Sequence, residues 1–305
     1  LLPAFSKLYG LPLDAIVQMG NAVNGNINSI VTLVVFAVAP MNLLKGGSVS
    51  LVTMLIYKKL SPILKSAAIS GKTEHVKVTG PLGEPVICEY GIIESTKTAV
   101  IEMAGAAGIT QVPDEKRNPL YTTTYGVGEV IKDAIEKGCR RFIVGIGGSA
   151  TNDGGVGMLQ ALGYAFLDKD GKQVLPGARG LKDIAEITDA YVIPELAECK
   201  FRVACDVTNP LCGEFGCSAI YGPQKGATPE MIKDMDQWLG AYAELAKERF
   251  PKADPVYPGT GAAGGMGFAF LTFTNAVLES GINIVLDETK LEDYIKDADL
   301  VITGE

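Results

Sequence analysis

From about Ser66 onward, the sequence alternates between short β-branched segments and longer segments with helical periodicity. RRFIVGIGG and KFRVACDVTNP are typical of buried strands, whereas YGVGEVIKDAIEKG, which Gly138 closes, and VGMLQALGYAF carry apolar residues at helical spacing. HVKVTGPLGEPVICEYGII alternates like a hairpin with its turn near Gly80 and Gly83. This alternation predicts an α/β fold with parallel strand pairs, covering helices and a ligand at the carboxyl ends of the strands.

Three later segments complete this part of the chain. TPEMIKDMDQWLGAYAELAKERF predicts a long helix with Thr228 as its N-cap and Pro229 at its first position. GAAGGMGFAFLTFTNAVLESG opens a further predicted helix, and ADLVITGE predicts a last strand.

Residues 1–65 have a different composition, so we expect two regions, 1–65 and 66–305. No charged residue occurs between Asp14 and Lys45, and SIVTLVVFAVAPMNLL is almost wholly apolar. The second uncharged run, GGSVSLVTMLIY, is followed by Lys58, Lys59 and Lys65. The pattern predicts an α-helical membrane hairpin broken near Pro40, with its lysine end on the cytoplasmic side. The alternative is a buried hairpin in a soluble core.

The segment PMNLLKGGSVSLVTMLIYKKLSPILK resembles the last helix of the riboflavin-binding S component of energy-coupling-factor vitamin transporters. The resemblance implies that Asn42 and Lys45 contact a flavin. An intramembrane lysine is also a functional candidate on physical grounds. The resemblance covers only the end of such a protein, so we expect no complete vitamin pocket.

The chain has 305 residues and a formal net charge of −8, which disfavours nucleic acid as a partner. An anionic ligand would therefore need lysines, amide N–H groups or Mg²⁺ to offset the acidity. The six cysteines are scattered, which favours reduced thiols and a cytoplasmic location for the α/β region. His75 is the single histidine, so a metal–thiolate site at Cys212 and Cys217 is disfavoured.

The segment FIVGIGGSATNDGG is the first of three loops suited to an anionic ligand. Gly147 and Gly148 end a predicted strand, and the following turn leads into a helix whose first N–H groups are free. Asp153 is a candidate Mg²⁺ ligand or proton acceptor. The loop matches neither a Walker loop nor a dinucleotide fingerprint. Both an anion site and a plain strand–turn–helix connection remain open as its role. The candidate donors in this loop are Ser149, Thr151 and Asn152.

The second loop combines CDVTNPLCG, which contains Asp206 and Asn209, with YGPQKGA, which contains Lys225. A lysine near a helix start opposes the helix dipole, which favours a phosphate contact; the alternative is a solvated lysine in a turn. The third loop, PGTGAAGGMG, allows close approach of a ligand or tight packing of a helix on the sheet. Its candidate contact residues are Gly261, Gly264 and Gly265. We expect all three loops to converge on one cleft.

Six motifs together resemble the bacterial glycerate kinases of the first type: NPLYTTTYGVGE, IGGSATNDGGVGMLQALG, VACDVTNPL, YGPQKGAT, PGTGAAGGMG and DLVITGE. The resemblance implies ATP-dependent phosphorylation of D-glycerate to a phosphoglycerate with Mg²⁺. It also implies two α/β domains, one flavodoxin-like and one restriction-enzyme-like, with the active site between them. Asp153 or Asp206 then takes the carboxylate roles, and Lys225 supplies the positive charge for the phosphate. The other loop residues and Glu305 then line the nucleotide or glycerate pocket.

The family pattern also has parts that this sequence lacks. It normally starts with a strand and loop carrying Asp, Ser and Lys, then Asp-Gly-Gly-Glu-Gly, and it continues beyond Gly304 and Glu305. We therefore expect an incomplete flavodoxin-like domain and a poor kinase. The alternative function is a fragment of a riboflavin-uptake membrane component fused to a non-functional kinase piece. A third possibility is an inert product of fused sequences.

Overall fold

The computed structural model describes residues 13–29, 32 and 71–296. The chain divides into two units, 1–68 and 69–305, close to the predicted boundary after residue 65. In the first unit, helix α1 spans Leu13–Val23. The predicted membrane hairpin with Asn42 and Lys45, the predicted strand ADLVITGE and Glu305 fall on residues outside the described ranges. Among the helices that are described, none has the length and apolar character needed to cross a membrane.

The second unit contains a six-stranded mixed sheet and a separate two-stranded sheet. The larger sheet has the order β1-β2-β3-β4-β7-β8, and β5 pairs with β6. β1, β2 and β3 pair antiparallel, whereas β3, β4, β7 and β8 are parallel neighbours. The predicted α/β class is confirmed, and the β-hairpin predicted from HVKVTGPLGEPVICEYGII is present as β1 and β2. The strands are β1 (Gly71–Thr79), β2 (Pro85–Ile93), β3 (Thr98–Glu102), β4 (Arg141–Gly145), β5 (Ala165–Leu167), β6 (Glu186–Thr188), β7 (Lys200–Ala204) and β8 (Ala276–Glu279).

Eight helices of the second unit lie within the described residues. The helix predicted from YGVGEVIKDAIEKG is present, and Gly138 follows it with φ +88°, as its role in ending the helix requires. Residues 69–305 group as one compact unit, so the two α/β domains within this region stay a prediction. The helices are α2 (Ala104–Ala107), α3 (Tyr125–Glu136), α4 (Val156–Ala161), α5 (Cys217–Tyr221), α6 (Pro229–Arg249), α7 (Ala262–Phe273), α8 (Gly281–Thr289) and α9 (Leu291–Ile295).

The helix predicted to open in GAAGGMGFAFLTFTNAVLESG is present as α7, and it does not extend through the whole segment. α7 ends at Phe273, and the chain then forms β8, whose residues pair in parallel with β7. A short apolar run such as AVLE fits a strand or a helix equally well by its pattern. The free edge of β7 decides the outcome, because pairing there satisfies the backbone groups of both segments.

The core of the second unit is built from aromatic side chains that join the sheet to the helices. Phe142 on β4 stacks on Phe201 on β7 with ring centroids 4.7 Å apart, and Phe201 contacts Phe270 on α7 at 5.5 Å. Tyr242 on α6 is fully buried and packs against Phe268 at 5.4 Å. These contacts hold β4 and β7 in register, and the loops that follow these two strands form the site described below. All six cysteines are free.

The long helix α6 begins as predicted, since the Thr228 hydroxyl accepts a hydrogen bond from the Met231 amide at 3.3 Å and Pro229 is the first helical residue. Replacing Thr228 with alanine should lower the free energy of unfolding by about 0.5–2 kcal/mol, because that amide loses its partner. Urea denaturation followed by circular dichroism measures the change. The matched control is Thr289→Ala, whose hydroxyl bonds only within its own exposed helix turn. Equal losses in the two variants would contradict the capping role.

Candidate functional site

A cavity of about 510 Å³ lies at the carboxyl ends of β4 and β7. These strands are parallel neighbours that end at Gly145 and Ala204, so the loops leaving them start at the same edge of the sheet. Each of the predicted loops contributes to the lining, so the expected convergence is confirmed. The lining includes Gly147, Gly148, Ser149, Asp206, Val207, Lys225, Ala262 and Ala263.

Lys225 is the buried charged side chain of this cavity. It ends the short 3-10 turn Pro223–Lys225 and is only 2% exposed, so the alternative of a solvated lysine is wrong. Its ammonium donates to the Thr151 carbonyl at 2.6 Å. Burial lowers the pKa of Lys225 to about 8, although the nearby Cys217 and Asp153 raise it. An ammonium has three donors, and the described residues accept from one of them, which suits this group to bind an anion in the cavity.

Asp206 follows β7 and presents an exposed carboxylate to the same cavity. Its Oδ1 accepts hydrogen bonds from the Ser280 hydroxyl at 2.8 Å and from the Gly281 amide at 3.0 Å, at the start of α8. Its Oδ2 accepts no hydrogen bond from the part of the chain that the structure describes. One oxygen is therefore fixed by the protein, and the other is available to a ligand.

Asp153 lies in the same loop as Gly147 but does not line the cavity. It is 1% exposed, and its Oδ2 accepts from the amide and the hydroxyl of Thr124 at 2.8 and 2.9 Å. Its Oδ1 accepts from the Gly155 amide at 3.2 Å. Burial raises the pKa of this carboxyl, while these hydrogen bonds lower it. The arrangement joins the segment before α3 to the turn before α4 and leaves neither carboxylate oxygen exposed to a metal ion.

Three further candidates, Thr151, Asn152 and Asn209, also lie outside the lining. Thr151 acts through its carbonyl on Lys225, and Asn152 donates to the Ser218 hydroxyl at 2.8 Å. Asn209 donates to the Phe215 carbonyl at 2.8 Å and accepts from the Tyr221 hydroxyl at 2.7 Å. These hydrogen bonds hold the walls of the cavity in position.

The glycines of the first and third loops divide into two groups. Gly147 and Gly148 are exposed and line the cavity, and a Cβ at Gly147 would meet no atom within 4 Å. A Cβ at Gly264, where φ is +70°, would lie 2.1 Å from the Thr151 carbonyl oxygen. The corresponding Cβ atoms of Gly261 and Gly265 would lie 2.2 Å from the Pro210 oxygen and 2.7 Å from the Gly154 Cα. For the third loop the geometry favours tight packing, which was one of the two alternatives.

Some contributors were not singled out from the sequence. Gln224 and Tyr221 line the cavity, and Thr124 holds Asp153. The signals lay within motifs already noted, because Gln224 precedes Lys225 in YGPQKGA and a Thr-Thr-Thr run precedes α3. Hydroxyl residues just before a helix are typical of N-terminal capping segments, so their interaction with a nearby turn is physically reasonable.

Comparison with known proteins identifies relatives of residues 63–305, which match the model of the glycerate kinase family. A glycerate kinase of Haemophilus influenzae is 53% identical over 78% of this chain and 63% of its own length. The glycerate 2-kinase of Escherichia coli is 51% identical over 78% of this chain and 63% of its own length. A crystal structure from Salmonella typhimurium LT2, provisionally described as glycerate kinase 2, has a TM-score of 0.76 at 50% identity. The match covers 78% of this chain and 64% of the Salmonella chain. The chain thus spans about 63% of the length of these curated relatives.

The close contact at Gly264 generates a stability prediction. Gly264→Ala should lower the free energy of unfolding by at least about 2 kcal/mol more than Gly213→Ala does. Both glycines have positive φ, but a Cβ at Gly213 meets no atom within 4 Å, so the difference isolates the contact with Thr151. Chemical denaturation of the two variants measures it. Equal destabilisation would show that the turn at Gly264 moves away without cost.

The lowered pKa of Lys225 generates a prediction about pH. Between about pH 8 and the ordinary lysine value of 10.5 the unfolded chain binds more protons at this residue, so stability should rise with pH there. Relative to Lys225→Met, the wild-type protein should gain on the order of 3 kcal/mol from pH 8 to 10.5 and show no gain below pH 8. Denaturation curves at several pH values measure the difference.

The control for this pH series is Lys233→Met, which replaces an exposed lysine of α6. Its stability difference from the wild type should stay constant over the same range, because that side chain is in water in both the folded and the unfolded chain. A constant difference for Lys225→Met as well would show that Lys225 is not desolvated in solution.

Proposed function

Because the chain belongs to the glycerate kinase family, we propose that it transfers the γ-phosphoryl group of ATP to D-glycerate in the cytoplasm. The observation that carries the proposal is the pairing of one buried ammonium and one exposed carboxylate in a single cavity, those of Lys225 and Asp206. Phosphoryl transfer depends mainly on positioning and on neutralising the charge of the transferred group. The cavity lies where ligands of open α/β sheets bind, outside the carboxyl ends of the strands.

Lys225 supplies the positive charge for the phosphate groups in this proposal. A buried ammonium interacts more strongly with an anion than a solvated one does, because little water screens it. Its hydrogen bond to the Thr151 carbonyl fixes the nitrogen, so the cation does not have to be ordered when ATP binds. At pH 7 a group with a pKa of about 8 is mostly protonated and carries the charge that the role requires.

Asp206 accepts the proton of the glycerate hydroxyl in this proposal. The hydroxyl oxygen forms the new bond to phosphorus, the bond from phosphorus to the departing ADP oxygen breaks, and the proton moves to the carboxylate. The hydrogen bonds to Oδ1 orient the group, and Oδ2 is available to the substrate. Asp153 is less suited to this step, since hydrogen bonds from Thr124 and Gly155 occupy its buried oxygens. We assign Asp153 a positioning role instead.

The turn Gly147–Ser149, in which the two glycines are exposed, fits the phosphate groups of the nucleotide. Gly148 has φ +69°, and neither glycine carries a side chain that would keep a phosphate from the backbone amides. Ser149 adds a hydroxyl to the lining.

Mg²⁺ fits the same cavity, because this ion is usually held by one or two carboxylates together with phosphate oxygens. The lining supplies the Ser149 hydroxyl, the Gln224 amide oxygen and one carboxylate, that of Asp206. Because Oδ2 is the open oxygen of Asp206, holding the ion there is the alternative to accepting the proton, and the substitution described below separates the two roles. No group of three histidine, cysteine or acidic side chains in residues 13–29 and 71–296 is arranged to hold a metal ion without a substrate. When bound, Mg²⁺ neutralises charge on the phosphate oxygens.

The proposed roles predict different effects for two substitutions in a coupled ADP-release assay with D-glycerate, ATP and Mg²⁺. Asp206→Asn should lower kcat by a factor of about 100 or more, since a general base contributes about that much. Lys225→Met should weaken ATP binding by at least about tenfold, because a charge-assisted contact is lost. ATP binding is measured by calorimetry on the same samples.

The matched control is Asp254→Asn, an exposed carboxylate that also accepts from a backbone amide but lies outside the cavity. It should leave both turnover and ATP binding unchanged. Rescue of Asp206→Asn by raised Mg²⁺ would reassign Asp206 from proton acceptor to metal ligand. Absence of both ADP release and ATP binding in the unsubstituted chain would overturn the proposed function.

A further inference from the structure

A second cavity, of about 570 Å³, shares no lining residue with the proposed reaction cavity. One wall is the β1–β2 turn, another is the segment that leads into α3, and a third is the segment around Arg179. Its polar lining consists chiefly of Tyr121, Thr123, Tyr125, Gln160, Gln173 and Arg179.

The charge of this cavity is unusual for a chain with a net charge of −8. Arg179 is the charged side chain of the lining, and no aspartate or glutamate lines the cavity. Its guanidinium lies over the Tyr121 ring, 4.6 Å from the centroid, and its Nε donates to the Pro176 carbonyl at 3.2 Å. No carboxylate within the described residues forms an ion pair with it, and its two terminal nitrogens have no described hydrogen-bond acceptor. This cation is therefore available to a ligand.

The backbone holds Arg179 in place before any ligand binds. The amides of Ala178 and Arg179 donate to the carbonyls of Pro119 and Leu120, both at 3.3 Å. Gly177 has φ +84°, and a Cβ there would lie 2.4 Å from the Leu120 oxygen, so the two segments pack backbone against backbone. The stack of Arg179 on Tyr121 follows from this pairing, and a pre-ordered guanidinium loses little entropy when it binds an anion.

The rest of the lining suits hydroxyl groups. Gln160 donates to Gln173 Oε1 at 3.0 Å, and the Phe166 amide donates to the same oxygen at 3.0 Å. These bonds orient both side-chain amides and leave the Gln173 NH₂ group as a donor and the Gln160 oxygen as an acceptor. Tyr125 is the first residue of the twelve-residue helix α3, so the positive end of that helix dipole adds to the potential from Arg179.

We propose that this cavity binds a small hydroxycarboxylate at a site separate from the reaction cavity. Arg179 holds the carboxylate through two parallel hydrogen bonds, as a planar guanidinium fork does, and the glutamine amides and Tyr125 contact the hydroxyl groups. This cavity is connected to the loop that contains Gly147 and Asp153. Thr123 lines the cavity, and the adjacent Thr124 donates to the Asp153 carboxylate. The inference rests on the proposed function only in the choice of D-glycerate as the first probe.

The test uses a reporter inside the cavity, 3-fluorotyrosine in place of Tyr121, followed by ¹⁹F NMR on the full chain. D-glycerate should shift its resonance saturably, and neutral glycerol should not. Arg179→Gln should weaken this titration at least about tenfold, and Arg179→Lys should also weaken it, because the ammonium lacks the planar fork. Asp206→Asn should leave the titration unchanged, so failure of the kinase proposal is distinguishable from failure of this one.

The matched control is Arg249→Gln, which removes an arginine paired with Asp189 outside the cavity and should leave the titration unchanged. If Arg179→Gln does not fold, Arg179→Lys decides alone, and unchanged affinity in it overturns the proposal. The proposal is also overturned if D-glycerate does not shift the resonance, or if inorganic phosphate by itself shifts it. A KM for D-glycerate that rises tenfold in Arg179→Gln would place the residue in the reaction itself and overturn the separate site.

Discussion

The candidate reaction site depends on one backbone contact, the approach of the turn at Gly264 to the turn that follows Thr151. The Gly154 amide donates to the Gly264 carbonyl at 2.9 Å, and no side chain fits between the two segments. This contact fixes the Thr151 carbonyl, which in turn accepts from the Lys225 ammonium. The glycines therefore serve the site indirectly. They let two turns pack closely enough to position the Thr151 carbonyl, which binds the Lys225 ammonium.

Burial of Lys225 works against the stability of the fold. Lys225 makes one hydrogen bond and contacts no carboxylate within the described part of the chain, so its burial is destabilising, and the lowered pKa expresses that cost. Such a residue is typical of functional sites, where an anionic ligand supplies the missing partner. Asp206 shows the complementary arrangement, with one carboxylate oxygen committed to the protein and the other exposed beside the cavity. For the proposed phosphoryl transfer, Lys225 supplies a desolvated cation and Asp206 a solvated base.

Asp153 links the proposed reaction cavity to the cavity that contains Arg179. Its carboxylate binds Thr124, the neighbour of Thr123 in the cavity that contains Arg179, and it lies in the loop that begins at the reaction cavity. A shift of the Thr123–Thr124 segment would have to break hydrogen bonds to a fully buried carboxylate, which is costly. These hydrogen bonds therefore hold one wall of the Arg179 cavity and the loop that contains Asp153 in a fixed position relative to each other.

Local pattern was sufficient for the β1–β2 hairpin, for the end of α3 at Gly138 and for the Thr228 cap of α6, because the interactions that determine them lie within a few residues of one another. The sequence also placed Gly147, Asp206 and Lys225 at one cleft, since the carboxyl ends of parallel strands share an edge. Only the tertiary structure decided that β8 is a strand, that Asp153 is enclosed and that Lys225 is buried. The reason is the distance between partners: Lys225 binds a carbonyl 74 residues away and Asp153 an amide 29 residues away. No periodicity within a segment reports which distant segment covers a side chain or which of its hydrogen-bonding groups are already occupied.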